Sequence, residues 1–285
     1  MKYLRKFNTE AEYLAFKESD DYVTPNVVLV NGAVDYNPVL PLPLYIEALA
    51  DLTVEFGNTY EFSKNNAFWT SATSSTSISV NAGERVFFRA SGLTASSSSG
   101  IGRFTISNGD CNVGGNVMSM VYGADFDKKT EITQSYQFLG LFGSCNKIID
   151  VSKLRLPATT LASYCYQGMF SQCENLVNAP ELPATTLVEG CYKRMFGNCD
   201  SLTTAPELPA TTLARSCYDY MFTQCKNLNY IKAMFTTAPS SGYTGGWMEN
   251  VAPSGTFVKN SAATWENTFG TSAIPEGWTV EYADA

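Results

Sequence analysis

Residues 156–181 read LPATTLASYCYQGMFSQCENLVNAPE, residues 182–207 read LPATTLVEGCYKRMFGNCDSLTTAPE, and residues 208–233 open LPATTLARSCYDYMFTQCKNL before they diverge. The first two copies agree at 15 of 26 positions, and the shared residues are nearly all apolar, Pro, Thr or Cys. A unit repeated at such a period cannot bury its apolar face alone, so its copies stack and share a core, which predicts a solenoid. Within a unit, Leu161, Cys165, Met169 and Cys173 recur every fourth residue with Ala162, Tyr166 and Phe170 beside them, and this pattern predicts a helix of three turns. Pro180 and Pro183 forbid helix in the stretch that follows. Each unit therefore reads as strand, turn, helix, with the pair Thr159 and Thr160 placed to cap the helix. A degenerate copy precedes these at 136–145 (YQFLGLFGSC) and another follows around Trp247 and Met248, which makes four to five units.

Outward from the repeats the pattern changes. Residues 8–19 read as a short helix with a Thr9 to Glu12 capping box. The strands beyond it flank Asn31-Gly32, a dipeptide favoured in two-residue hairpins. From Leu44 to about residue 100 the apolar period is two, with Leu52, Val54 and Phe56, then Tyr60 and Phe62, Ile78 and Val80, and Val86 and Phe88 alternating with polar residues. Short strands separated by turns predict a small antiparallel sandwich of immunoglobulin type. The expected fold is multidomain and mainly β with short helices: an N-terminal helix–hairpin attachment module and Pro-rich linker (1–43), a β-sandwich (44–121), a repeat solenoid (122–250), and a C-terminal cap (251–285) in which strands near 256–258 and 278–282 form a hairpin or edge.

The chain has 285 residues, a formal net charge of -8 and no clustered Lys or Arg, which argues against a nucleic-acid partner. No apolar run is long enough to span a membrane. The opening MKYLRKFNTEAEYLAFKESDD is charged and lacks the apolar core of a secretory signal, so a protein used without export is expected. Six of the eight cysteines fall at two phases of the repeat, Cys165, Cys191 and Cys217, and Cys173, Cys199 and Cys225. Stacked at equivalent positions, they are expected to be buried thiols rather than disulfides. A C-x7-C spacing without any His does not suit zinc, and no metal or cofactor is expected.

The pattern L-P-x-T-x-L-x3-C-Y-x2-M-F-x2-C-x2-L resembles the leucine-rich repeats of BspA-like surface proteins, in the variant common in gut Bacteroidetes and their phages. The opening MKYLRKFNTEAEY, running to VLVNGAVDYNP, is similar to the N-terminus of virion proteins of phages that infect those bacteria. That second resemblance implies attachment through residues 1–43 to other virion proteins.

An enzyme requires a nucleophile, an acid–base group or a metal in a fixed constellation. Glu181 and Glu207 occupy one repeat phase, and stacked carboxylates resemble those of retaining glycosidases, but a pair of solvated side chains copied with the repeat accounts for them better. No catalytic residue is assigned. Trp69 reads as sandwich core rather than as a sugar-stacking residue. The positions that change between copies are exposed by exclusion, and they supply the candidate binding residues Lys193, Arg194, Asp219 and Tyr220, with Asn178, Glu181, Thr204 and Glu207 on the strand side. The resemblance implies a head or tail fibre or decoration protein of a phage virion, a homo-oligomer such as a trimer, that presents its repeats to a host surface protein or glycan. A bacterial cell-surface adhesin is the alternative, and a glycan depolymerase the third reading.

Overall fold

The computed structural model describes residues 41–283 throughout and, before them, the backbone of strands β1 (Lys6–Phe7), β2 (Val28–Val30) and β3 (Ala33–Asp35). These three form one sheet, in which β2 and β3 pair antiparallel and β1 lies parallel to β2. The expected helix–hairpin module is thus replaced by a three-stranded sheet. The helix expected over 8–19 lies outside the described residues.

Next come β4 (Leu44–Ala48), β5 (Leu52–Phe56), β6 (Tyr60–Ser63), β7 (Thr70–Ala72), β8 (Ile78–Val80), β9 (Arg85–Arg89), β10 (Phe104–Asn108) and β11 (Cys111–Asn116). Alternation sets their faces: in β5, Leu52, Val54 and Phe56 are buried while Glu55 is exposed. The sheet β10-β5-β8 packs on a larger one ordered β11-β4-β9-β6-β7, with Phe56 of the first meeting Phe88 of the second edge to face at 6.0 Å. The larger sheet is not the antiparallel immunoglobulin layer expected. Its β11 edge pairs in parallel with β12 (Ile148–Asp150) and β13 (Leu154–Arg155), which come from the first repeat, so the sheet runs past residue 121 into the repeats.

The repeats stack, but not as the leucine-rich solenoid of strands and three-turn helices that the sequence predicts. Among the described residues the one α-helix is α1 (Ser119–Tyr122), outside the repeats, and no sheet runs continuously through them. The segment expected to be helical is instead a run of tight turns. The N–H groups of Cys165, Gln167, Met169, Ser171 and Cys173 each donate to the carbonyl three residues back, at 3.0–3.2 Å. Those of Tyr164, Tyr166, Gly168, Phe170 and Gln172 leave the unit and donate to carbonyls of Glu189, Cys191, Lys193, Met195 and Gly197 at 2.7–3.0 Å. An α-helix directs its interior N–H groups to carbonyls four residues earlier, whereas here every second donor belongs to the neighbouring unit.

A left-handed residue at every fourth position makes this possible: Tyr164, Gly168 and Gln172, then Gly190, Arg194 and Asn198, then Ser216, Tyr220 and Gln224, with φ between +52° and +64°. Each non-glycine in that conformation costs about 1–2 kcal/mol. The strain is held by the rung-to-rung hydrogen bonds and by the buried rings. Phe104 of β10 begins a ladder that continues through Phe142, Phe170, Phe196 and Phe222, with centroids 5.3–5.7 Å apart. A second ladder runs Phe138, Tyr166, Tyr192, Tyr218 and Trp247 at 5.5–6.3 Å.

The cysteines follow the same logic. All eight are buried and unbridged. Cys145, Cys173, Cys199 and Cys225 donate their thiols to the carbonyls of Phe104, Phe142, Phe170 and Phe196 in the preceding rung, at 3.0–3.2 Å. A small, mostly apolar side chain with a weak donor meets that position. Burial pushes the thiols up, to about 11 for Cys145 and about 12 for Cys165 and Cys225.

The C-terminal cap is β14 (Tyr230–Ala233), β15 (Thr256–Lys259) and β16 (Thr279–Tyr282), all parallel. The expected hairpin is therefore corrected to a parallel crossover. Its long connection is used to lay tryptophans over the end of the stack, where their N–H groups reach carbonyls, Trp247 Nε1 to Ala273 and Trp278 Nε1 to Ala252, each at 2.8 Å. Lys259, buried, places its ammonium 4.0 Å from the Trp265 ring centroid and donates to the Trp265 carbonyl.

Two left-handed glycines separate backbone strain from packing. A Cβ on Gly168 would meet only Ser171 Cβ at 3.8 Å, whereas one on Gly190 would lie 2.2 Å from the Tyr164 ring. Gly168→Ala is expected to cost about 1–2 kcal/mol, the conformational penalty alone, and Gly190→Ala clearly more; equal shifts in urea midpoint would contradict this account. The buried thiols predict no reaction with dithionitrobenzoate at pH 8 in the native protein and eight equivalents in guanidinium.

Candidate functional site

The stack offers a turn run (164–172 and its copies) and an extended run (176–184 and its copies), and the candidate residues divide between them. On the extended run, Asn178 is exposed and donates its amide to Asp150 Oδ2 at 3.0 Å. Burial alone would raise the Asp150 carboxyl, but hydrogen bonds from Ser152 and Asn178 outweigh it and hold it below the usual carboxylate range. Thr204 is exposed and bridges by backbone to Tyr230. Glu207 accepts from Lys232 Nζ at 3.1 Å. Glu181 and Glu207 sit at the rim of a shallow groove of about 320 Å³ walled by Pro180, Pro183, Pro206 and Pro209. Proline has no backbone N–H, so this groove contains no amide donors at those four positions to orient a water or stabilise a developing charge. Both carboxylates are exposed.

On the turn run, Lys193 is half-buried and its ammonium lies 4.0 Å from the Asp219 carboxylate. Arg194 is exposed with its guanidinium 5.3 Å above the Tyr220 ring, and Tyr220 is exposed in turn. Asp219 is a correction: the exclusion argument places it outside, yet it is buried and its Oδ1 accepts the Gly245 N–H at 2.8 Å. It is an anchor for the next rung rather than a contact residue. Trp69 is also corrected, being half-buried outside the core with the Arg89 guanidinium 4.1 Å over its ring. The structure thus brings Lys193 to Asp219 and Arg194 to Tyr220, while Asn178, Glu181, Thr204 and Glu207 lie on the other run.

A third location escapes the sequence reading. Where the loop 96–100 of the sandwich faces the first rungs, a hollow of about 340 Å³ is lined by Ser98, Ser99 and Arg103 on one side and by Gln167, Gln172 and Arg194 on the other. It exists because Gly140 and Gly168 occupy the phase that bears Arg194 and Tyr220 in later copies, and two successive rungs without a side chain leave a notch. The glycines at that phase were the available signal. Their meaning depends on knowing that the residue four before Gln172 points outward from a turn run, which a helical reading hides.

Among the described residues no group of three or more His, Cys, Asp or Glu is arranged to hold a metal. Removing the Asp219 carboxylate in Asp219→Ala is expected to cost about 1–3 kcal/mol, since it leaves the Gly245 N–H without its acceptor, while Glu181→Gln stays within about 0.5 kcal/mol as an exposed change; thermal melts of the two variants check this. The chain matches no protein-family model, no curated protein and no solved structure.

Proposed function

We propose that this chain is a recognition protein of a bacteriophage particle, a head or tail fibre or decoration component, that attaches through residues 1–43 and presents its stacked repeats to a host surface protein or glycan. The observation that carries the reading is the sorting of the repeat copies. The aromatic, Met and Cys side chains shared between copies are buried, and changing positions such as Gln172, Arg194 and Tyr220 are exposed on the turn run. An interior held constant under an exterior that varies is what a display scaffold requires, because a stacked surface binds large partners through side chains its core does not need. The likeness of the opening to phage virion N-termini supplies the setting, and a homo-oligomer such as a trimer fits that setting.

In particles purified from infected Bacteroidetes cultures, the full chain is expected to co-sediment with the virion. Residues 1–43 are then shielded from protease until the particle is disrupted. A chain missing from the particles, or a 1–43 segment cleaved equally fast in both states, refutes the proposal.

A further inference from the structure

We propose that the hollow between loop 96–100 and the first rungs is a binding site for a saccharide bearing a carboxylate, such as a uronic-acid unit of an acidic surface polysaccharide. The inference rests on reading the chain as a recognition protein and names the site and ligand class.

The charge of the hollow runs against that of the molecule. In a chain of net charge -8, it is lined by two guanidiniums and by no Asp or Glu. Arg103 is exposed, and its guanidinium forms no hydrogen bond or ion pair among the described residues. The Arg194 guanidinium lies over the Tyr220 ring face and forms no hydrogen bond or ion pair among the described residues, which leaves its edge donors available. The other arginines of the sandwich are spent: Arg85 binds Glu47 at 2.6 Å and Arg89 binds Glu61 at 2.8 Å. A guanidinium is a planar fork of donors matched to a carboxylate, and two of them facing one hollow without a counterion favour an anionic ligand.

The remaining lining suits hydroxyl groups. Ser98 and Ser99 come from the loop, and Ser144 and Gln172 from adjacent rungs, where Ser144 Oγ donates to Gln172 Oε1 at 2.8 Å and leaves the Gln172 amide N–H₂ group without an acceptor among the described residues. The Gln167 side chain makes no hydrogen bond among the described residues. Hydroxyls and amides that both donate and accept are the groups that pair with sugar hydroxyls, whereas an inorganic anion, chiefly an acceptor, would use only their donor side. The volume, about 340 Å³, falls at the lower end of the range of about 300–1,000 Å³ in which proteins hold small ligands.

The glycine notch makes the hollow testable by filling it. Tyr220 occupies the Gly168 phase two copies on with φ +55°, so Gly168→Tyr places a ring in the hollow on a backbone already known to accept that residue. Calorimetric titration of the full chain with tri-galacturonate, with its neutral galactose counterpart and with inorganic phosphate is the experiment. Tri-galacturonate is expected to bind at least tenfold tighter than either control. Arg103→Gln with Arg194→Gln together, and Gly168→Tyr alone, are each expected to weaken it at least tenfold with the urea midpoint of the double variant unchanged. Equal binding of the neutral trisaccharide or of phosphate, no binding of the acidic one at millimolar concentration, or full affinity in either variant overturns the site. Host-cell binding measured alongside separates the two readings: the double variant binding cells as the wild type does leaves recognition standing and removes this hollow as its seat.

Discussion

Every second N–H in the turn run is committed to a carbonyl of the next rung, and this division of backbone donors governs the rest of the repeat region. It requires a left-handed residue at each fourth position, so outward side chains fall at fixed points and Cys-Tyr and Met-Phe pairs fall inward between them. It also spaces the rungs so that like rings lie 5.3–6.3 Å apart in two columns. Offset ring stacking adds about 0.5–1.5 kcal/mol per pair beyond burial. Neither element is stable alone, since a single turn run leaves half of its donors unpaired and its rings exposed to water.

A stack built on inter-rung hydrogen bonds has two open ends, each an edge with unmet donors and acceptors. At one end the sandwich provides the first rung: Ile101 and Phe104 donate to the carbonyls of Gln137 and Leu141, and Phe104 heads the phenylalanine ladder. At the other, Trp247 covers the last tyrosine, and the parallel strands β14, β15 and β16 continue the pairing until Trp265 and Trp278 close it. One connected core therefore runs from Leu44 to Trp278. The exposed hollow at the sandwich end is a by-product of that junction, since a loop of the sandwich and the first rungs of the stack can face one another only where the two meet.

Some of this is legible in the residues. Copy-to-copy identity marks Cys165, Tyr166, Met169 and Phe170 as interior, and they are fully buried. The two-residue alternation places β5 and β8, because a strand that buries one face has no other register available. The helix fails for a reason visible in retrospect. Four residues advance an α-helix by about 400°, so a strict period of four drifts about 40° per step and about 120° from Leu161 to Cys173, too far for one narrow face. The candidate residues fare unevenly: Arg194 and Tyr220 are outside as the changing positions imply, whereas Asp219 is drawn inside by a backbone N–H, that of Gly245, which lies 26 residues away.

The sequence by itself determined that the apolar side chains shared between copies are interior, that the copies stack in register, and that the cysteines line up as thiols within the stack. Those facts follow from apolarity and repetition, which are properties of each residue and its spacing. Only the tertiary structure decided that the units are turn runs rather than helices, that the cap is parallel, and that Arg103 from the sandwich and Arg194 from the 182–207 copy face one hollow. The reason is the same in each case: an N–H or a charged side chain is satisfied by whichever partner is nearest in space, and that partner lies in another rung or another sheet, beyond the reach of any local pattern.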